Sequence, residues 1–107
     1  MNTEDPPRLT ELNQRVTEAI LFAENLQRQS EQAFAHVSRI EEEIATICKS
    51  GTLEGDIARR GAITAALSAR DPKRALRLVE QYLRETPVAI GLVTLHREAI
   101  AAIRGMP

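Results

Sequence analysis

Residues 9–47 read LTELNQRVTEAILFAENLQRQSEQAFAHVSRIEEEIATI, and their spacing decides the fold. An apolar or small side chain returns every seven residues in two interleaved sets. Leu9, Val16, Ala23, Ser30, Val37 and Ile44 form one set; Leu12, Ala19, Leu26, Ala33, Ile40 and Ile47 form the other. Seven residues make two turns of a slightly underwound helix, so both sets fall on one stripe, and about five unbroken heptads mark a coiled-coil helix. No glycine or proline intervenes before Gly51, which is placed to terminate the run. Upstream, Asp5 is positioned as a cap and Pro6-Pro7 in the first turn, where a missing N–H costs nothing. The spacing predicts a helix over 6–49, on the order of 65 Å long at ~1.5 Å per residue, after a disordered tail, 1–5.

The stripe is wider than the seam of a two-stranded coil. Ile20, Phe34 and Cys48 share one flanking heptad position and Phe22 lies on the other flank, a breadth that favours a bundle of three or four helices. Ala19, Ala23, Ser30 and Ala33 are small, so a neighbour can come close at mid-helix, which suits antiparallel packing.

Three shorter helices follow. Thr52 caps the second, over 53–69, whose apolar residues are few: Leu53, Ile57, Ile63 and Leu67, with Gly61 and Thr64 beside them. Asp71-Pro72 is a cap followed by proline at the first helical position. In this third helix Ala75, Leu78, Val79, Tyr82 and Leu83 share one face, and Lys73, Arg77 and Arg84 line the other. Thr86-Pro87 repeats the punctuation and opens the fourth helix, closed by Gly105. Its apolar residues, among them Val88, Leu92, Val93, Ile100 and Ile103, cover more than half the circumference and require cover on two sides. The fold expected is all-α, a long heptad helix plus a three-helix head over 50–107, in a helical bundle completed by oligomerisation. Each head helix is only roughly 20–27 Å long, so none can cover the long stripe alone.

The segment Asp71-Pro-Lys-Arg-Ala-Leu-Arg-Leu-Val-Glu-Gln-Tyr-Leu-Arg-Glu-Thr-Pro87 resembles the second helix of a tetratricopeptide repeat. Ala75 stands at the small packing position, and Leu83 and Pro87 close the unit. Residues 62–69 resemble the first helix, without that family's large aromatic, its Leu-Gly pair or its following tyrosine, and Tyr82 replaces a small residue. The likeness covers about a quarter of the chain in a single copy. It implies a repeat-like hairpin, in that family a protein-binding scaffold.

Composition narrows the chemistry. With 107 residues, 43% hydrophobic and 27% charged, the chain has room for one domain. Phe22, Phe34 and Tyr82 are its only aromatics, too few for the stacking platforms that bind single-stranded nucleic acid. The longest apolar run, 88–95, is too short to span a bilayer. The acidic N-terminus lacks a secretory h-region, and the single cysteine makes no disulfide framework. These features point to a cytoplasmic protein. Arginine supplies nearly all the basic residues, as in GC-rich bacterial coding. Charge is uneven: up to Asp56 five bases stand against eleven acids, and from Ile57 nine stand against four. That layout draws the two halves together, or the basic half to an acidic partner.

No catalytic or metal-binding constellation emerges and no cofactor is implied. His36 flanks the seam and His96 lies on the apolar arc of the fourth helix, without ligand spacing. Cys48 lies at the C-terminal end of a helix, the end of negative partial charge and the opposite of what a nucleophile needs, and reads as a small buried hydrophobe. Glu41-Glu42-Glu43 diverge by about 100° each and read as a solvated face. The expected function is non-catalytic protein–protein contact or assembly, through an interface of Leu12, Val16, Ile20, Leu26, Phe34, Val37, Ile40, Ile44 and Ile47. The partner is a second copy of the chain or an amphipathic helix of another protein, as in a chaperone or adaptor of a bacterial secretion or organelle-assembly system. Arg59 and Arg60 precede a basic face of Arg70, Lys73, Arg74, Arg77 and Arg84 that offers an acidic partner or a phosphate a site. A DNA-associated regulator is a further reading, disfavoured because no helix carries a set of side chains for reading base edges; no membrane is implied.

Overall fold

A computed structural model describes residues 6–86 and 89–106. The tail expected over 1–5, with Pro87 and Val88, lies outside the described residues. Those described form four helices and no strand: α1 (Pro6–Ile47), α2 (Leu53–Ser68), α3 (Pro72–Glu85) and α4 (Ile90–Arg104). The fold is all-α, as the periodicity requires. Among the described residues no helix is long and apolar enough to cross a membrane.

The turns follow from local chemistry. Gly51, at φ 88°, reverses the chain after α1, and Thr52 then works in two directions. Its hydroxyl accepts from the Gly55 N–H at 3.1 Å and donates to the Lys49 carbonyl at 2.7 Å. Gly55 is buried there, and a side chain would collide with the Lys49 carbonyl 2.5 Å from its first carbon. Between α2 and α3 the Asp71 N–H reaches back to the Ala66 carbonyl and the Arg70 N–H to that of Leu67. This is a Schellman motif, closed by Arg70 in the left-handed conformation at φ 58° instead of by glycine. Asp71 caps α3 through the Arg74 N–H, and Pro72 follows.

Helix α4 departs from expectation. Its first residue is Ile90, and Ala89 stands at the cap without a side-chain bond. Thr86 is not its cap: it closes α3 through its N–H to the Tyr82 carbonyl, stands before the Ala89 cap position, and its hydroxyl pairs with that of Ser50.

Helix α2 departs further. Its buried residues are Gly55, Ala58, Arg59, Ala62, Ile63, Ala65 and Ala66, while Leu53 and Ile57, expected on its apolar face, are 72% and 52% exposed. A helix with neighbours on several sides needs small side chains so that backbones can approach. The alanines therefore decide which surface of α2 turns inward. Ala62, Ile63 and Ala66 pack with Ala75, Leu78, Val79 and Tyr82 of α3 and with Leu92 and Ala99 of α4. Leu67, Leu76, Leu83, Ala89 and Leu95 close the margins.

Two units divide the chain, Met1–Ser30 and Glu31–Pro107. The boundary falls inside α1, because the last turns of α1 belong to the core: Ala45 joins it and Ser38 is buried beside it.

Ala62→Leu, which overfills the centre, is expected to lower unfolding free energy by about 1–3 kcal/mol, whereas Leu53→Ser on the same helix changes it by less than about 0.5 kcal/mol. Chemical denaturation of both variants measures the difference, and equal losses would contradict the alanine-faced packing of α2.

Candidate functional site

In the second unit α1 meets the head with its polar side. Ser38, fully buried, donates to the Ala62 carbonyl of α2 at 2.7 Å and accepts from Arg74 Nε of α3 at 3.0 Å. The other arm of Arg74 reaches Glu42 at 2.6 Å. Arg77 stands 3.8 Å from the second Glu42 oxygen, and Arg70 is 3.8 Å from Glu31. Glu41 lies over Gly61, where a first side-chain carbon would sit 3.1 Å from its carboxylate. The acidic run 41–43 is thus not wholly solvated: Glu41 and Glu42 are half-buried and only Glu43 faces out. The charge imbalance between the halves is used within the chain.

Arg59 fastens the end of α1. The last carbonyls of a helix have no partner inside it, and here a guanidinium from α2 supplies donors. One terminal nitrogen bonds the Ala45 carbonyl at 3.0 Å and the Cys48 carbonyl at 3.2 Å, while Nε bonds Glu85 at 3.2 Å. The guanidinium carbon stands 5.5 Å from the centre of the Tyr82 ring, a cation–π distance. At 6% exposure Arg59 is not part of a surface basic patch. Its other terminal nitrogen and the Tyr82 hydroxyl are buried without hydrogen-bond partners. Burial pushes the Tyr82 phenol above its ordinary value, with Glu42 and Glu85 adding to the rise and Arg59 and Arg74 opposing it.

The seam lies elsewhere. In the first unit Leu9, Leu12, Val16, Ile20, Phe22 and Leu26 are all exposed, and in the second so are Phe34, Val37, Ile40, Ile44 and Ile47. Exposure over these residues runs from 39% at Leu12 to 82% at Ile47. Of the expected basic face, Arg74 is enclosed between Ser38 and Glu42, while Arg70, Lys73, Arg77 and Arg84 are exposed. Cys48 is half-buried and free, beside Lys49, Thr52 and Leu53. His96 faces Glu80 at 3.7 Å. A cleft of about 270 Å³ between α2 and the start of α4 is lined by Asp56, Arg59, Arg60, Thr86 and Gly91 among others. Its described lining residues include no histidine or cysteine.

Two residues that organise this surface do not stand out in the sequence. Ser38 resembles any polar residue on the back of a coiled-coil helix, yet Ala35, Ser38 and Ala45 form a short small-residue line on the face opposite the seam, and that line marks the docking side. Arg59 is one of several arginines. The sign of its burial is its place between Ala58 and Ala62, on the alanine face of α2.

Arg59→Met, which keeps the apolar stem and removes the donors, is expected to cost about 2–4 kcal/mol in chemical denaturation; Arg59→Lys should recover only part, since one ammonium cannot span both carbonyls and Glu85. Tyr82 gives a pH signature. Because its folded pKa lies above the ordinary 10.0, the unfolded chain loses the phenolic proton first. The associated stability is complete below that pH and is lost as pH rises towards the folded value. Tyr82→Phe should flatten this alkaline decline while leaving stability at pH 7 unchanged or higher, since the hydroxyl has no partner to lose. A wild-type slope retained in the variant would assign the decline to another group.

No protein-family model, curated protein or solved structure matches this chain.

Proposed function

We propose that the protein is a non-catalytic assembly module that self-associates through α1. The observation carrying this reading is the inversion of faces on that helix. Between Glu31 and Cys48 it is fastened to α2 and α3 by Ser38, Glu42 and the carbonyls that accept from Arg59. The heptad residues Phe34, Val37, Ile40, Ile44 and Ile47 face solvent in the same segment. Isolated exposed leucines are ordinary on a protein surface. A periodic series of large aliphatics with heptad spacing is a surface made for another helix.

The polar docking supports the reading in a second way. An apolar face turned towards the head would have buried the seam inside one chain and removed any drive to associate. Ion pairs and a buried serine hold the head while leaving the stripe free, so association needs no rearrangement of the head. Lys73 and Arg84, exposed on α3, would then be carried on the outside of the assembly as a secondary contact for acidic partners.

Sedimentation across a concentration series tests the proposal, with Leu26→Asp as the decisive variant. A carboxylate at a desolvated seam position should weaken self-association by more than about a hundredfold, with the near-ultraviolet signal of Tyr82 preserved. A wild-type monomer at every concentration, or a variant that associates as well as wild type, would overturn it.

A further inference from the structure

The orientation of the pairing follows from the residues beside the stripe, on the reading that the protein self-associates through α1. Let the Leu9 set occupy heptad position a and the Leu12 set position d. The e positions are then Asn13, Ile20, Gln27, Phe34, Glu41 and Cys48, and the g positions Arg8, Arg15, Phe22, Gln29, His36 and Glu43. In a parallel pair each g residue faces the e residue five places on in the other copy. Arg15 would meet Ile20, Phe22 would meet Gln27, Gln29 would meet Phe34 and Glu43 would meet Cys48. The large apolar flanks are each set against a polar or charged group, and no arginine reaches a carboxylate. His36 against Glu41 is the one favourable contact.

An antiparallel pair sets a against d, g against g and e against e. One register then uses every seam residue. Leu9 layers with Ile47, Leu12 with Ile44, Val16 with Ile40, Ala19 with Val37, Ala23 with Ala33, and Leu26 with Ser30. Three large aliphatics of the amino-terminal half meet three of the carboxy-terminal half, while small residues fall at the middle. On the flanks Arg15 faces Glu43, Ile20 faces Phe34 and Phe22 faces His36, each pair occurring twice by twofold symmetry, while Glu41 is turned towards Gly61 of α2. Arg15 and Glu43 are both exposed, and neither enters an ion pair within the chain among the described residues. We propose that α1 pairs antiparallel with a second copy of this chain, in the register that sets Arg15 against Glu43 and Ala23 against Ala33.

Disulfide trapping of the full chain reads the register directly. In a Cys48→Ser background, Ala23→Cys and Ala33→Cys are prepared as separate single-cysteine proteins. In the proposed register like positions are ten residues apart along the seam, about 15 Å, too far for a disulfide. Neither protein alone should form a linked dimer on oxidation, whereas refolding the two together should give the linked heterodimer. Separately, Arg15→Glu should weaken self-association by about tenfold, and adding Glu43→Arg should restore it to within about threefold. If each single-cysteine protein links with itself, the pairing is parallel and the proposal fails while self-association through α1 stands. A dimer whose mixture does not link, or whose charge swap gives no recovery, also overturns the register. A wild-type monomer at every concentration removes the self-association reading itself.

Discussion

The buried guanidinium of Arg59 on the end of α1 is the contact on which the arrangement of the second unit depends. A helix that stops beside a packed core must find donors for its last carbonyls, or the burial is costly. Arg59 provides them from α2, and its own charge is met by Glu85 and the face of Tyr82. The contact also determines which side of α1 is turned inward. With the end of the helix pinned and Ser38 seated against the Ala62 carbonyl, the seam residues of the same turns are left facing water. Docking by polar groups yields little net stability compared with an apolar interface of equal size, and what it secures is orientation.

The long helix and the breaks between helices were legible because their signals are local. Heptad spacing, Thr52, Asp71-Pro72 and Gly105 act within a few residues of where they stand. The inward face of α2 was not legible from apolarity. Leu53 and Ile57 are its more hydrophobic residues and they point outward, because a helix with neighbours on several sides is limited by bulk more than by hydrophobicity. The start of α4 departs from its local signal for a related reason: Thr86 carries the residue type of a cap but spends its hydroxyl on Ser50, in another turn.

The candidate surface was legible as a set of residues on one helix. What spacing could not supply was whether the chain's own head would cover it. That outcome depends on contacts between residues far apart in sequence, Ser38 with Arg74 and Ala45 with Arg59. The arginines divide on the same principle. Arg59 and Arg74 are drawn into the fold by carbonyls and carboxylates, whereas Lys73 and Arg84 remain on the surface, and no property of the isolated side chains separates the two groups.

Tyr82 has a practical consequence for anyone handling this protein. It is the single tyrosine of a chain without tryptophan, so virtually all absorbance near 280 nm, and the emission it excites, originate from one ring buried under Arg59. The polypeptide is almost transparent to the usual optical assay of concentration, which must rest on peptide absorbance instead. In exchange, the tyrosine band near 280 nm, set apart from the shorter-wavelength bands of Phe22 and Phe34, is a reporter of one locality. It follows melting of the head around α2 and α3 and is silent about events along the exposed stripe, so two processes that would overlap in most proteins are optically separated in this one.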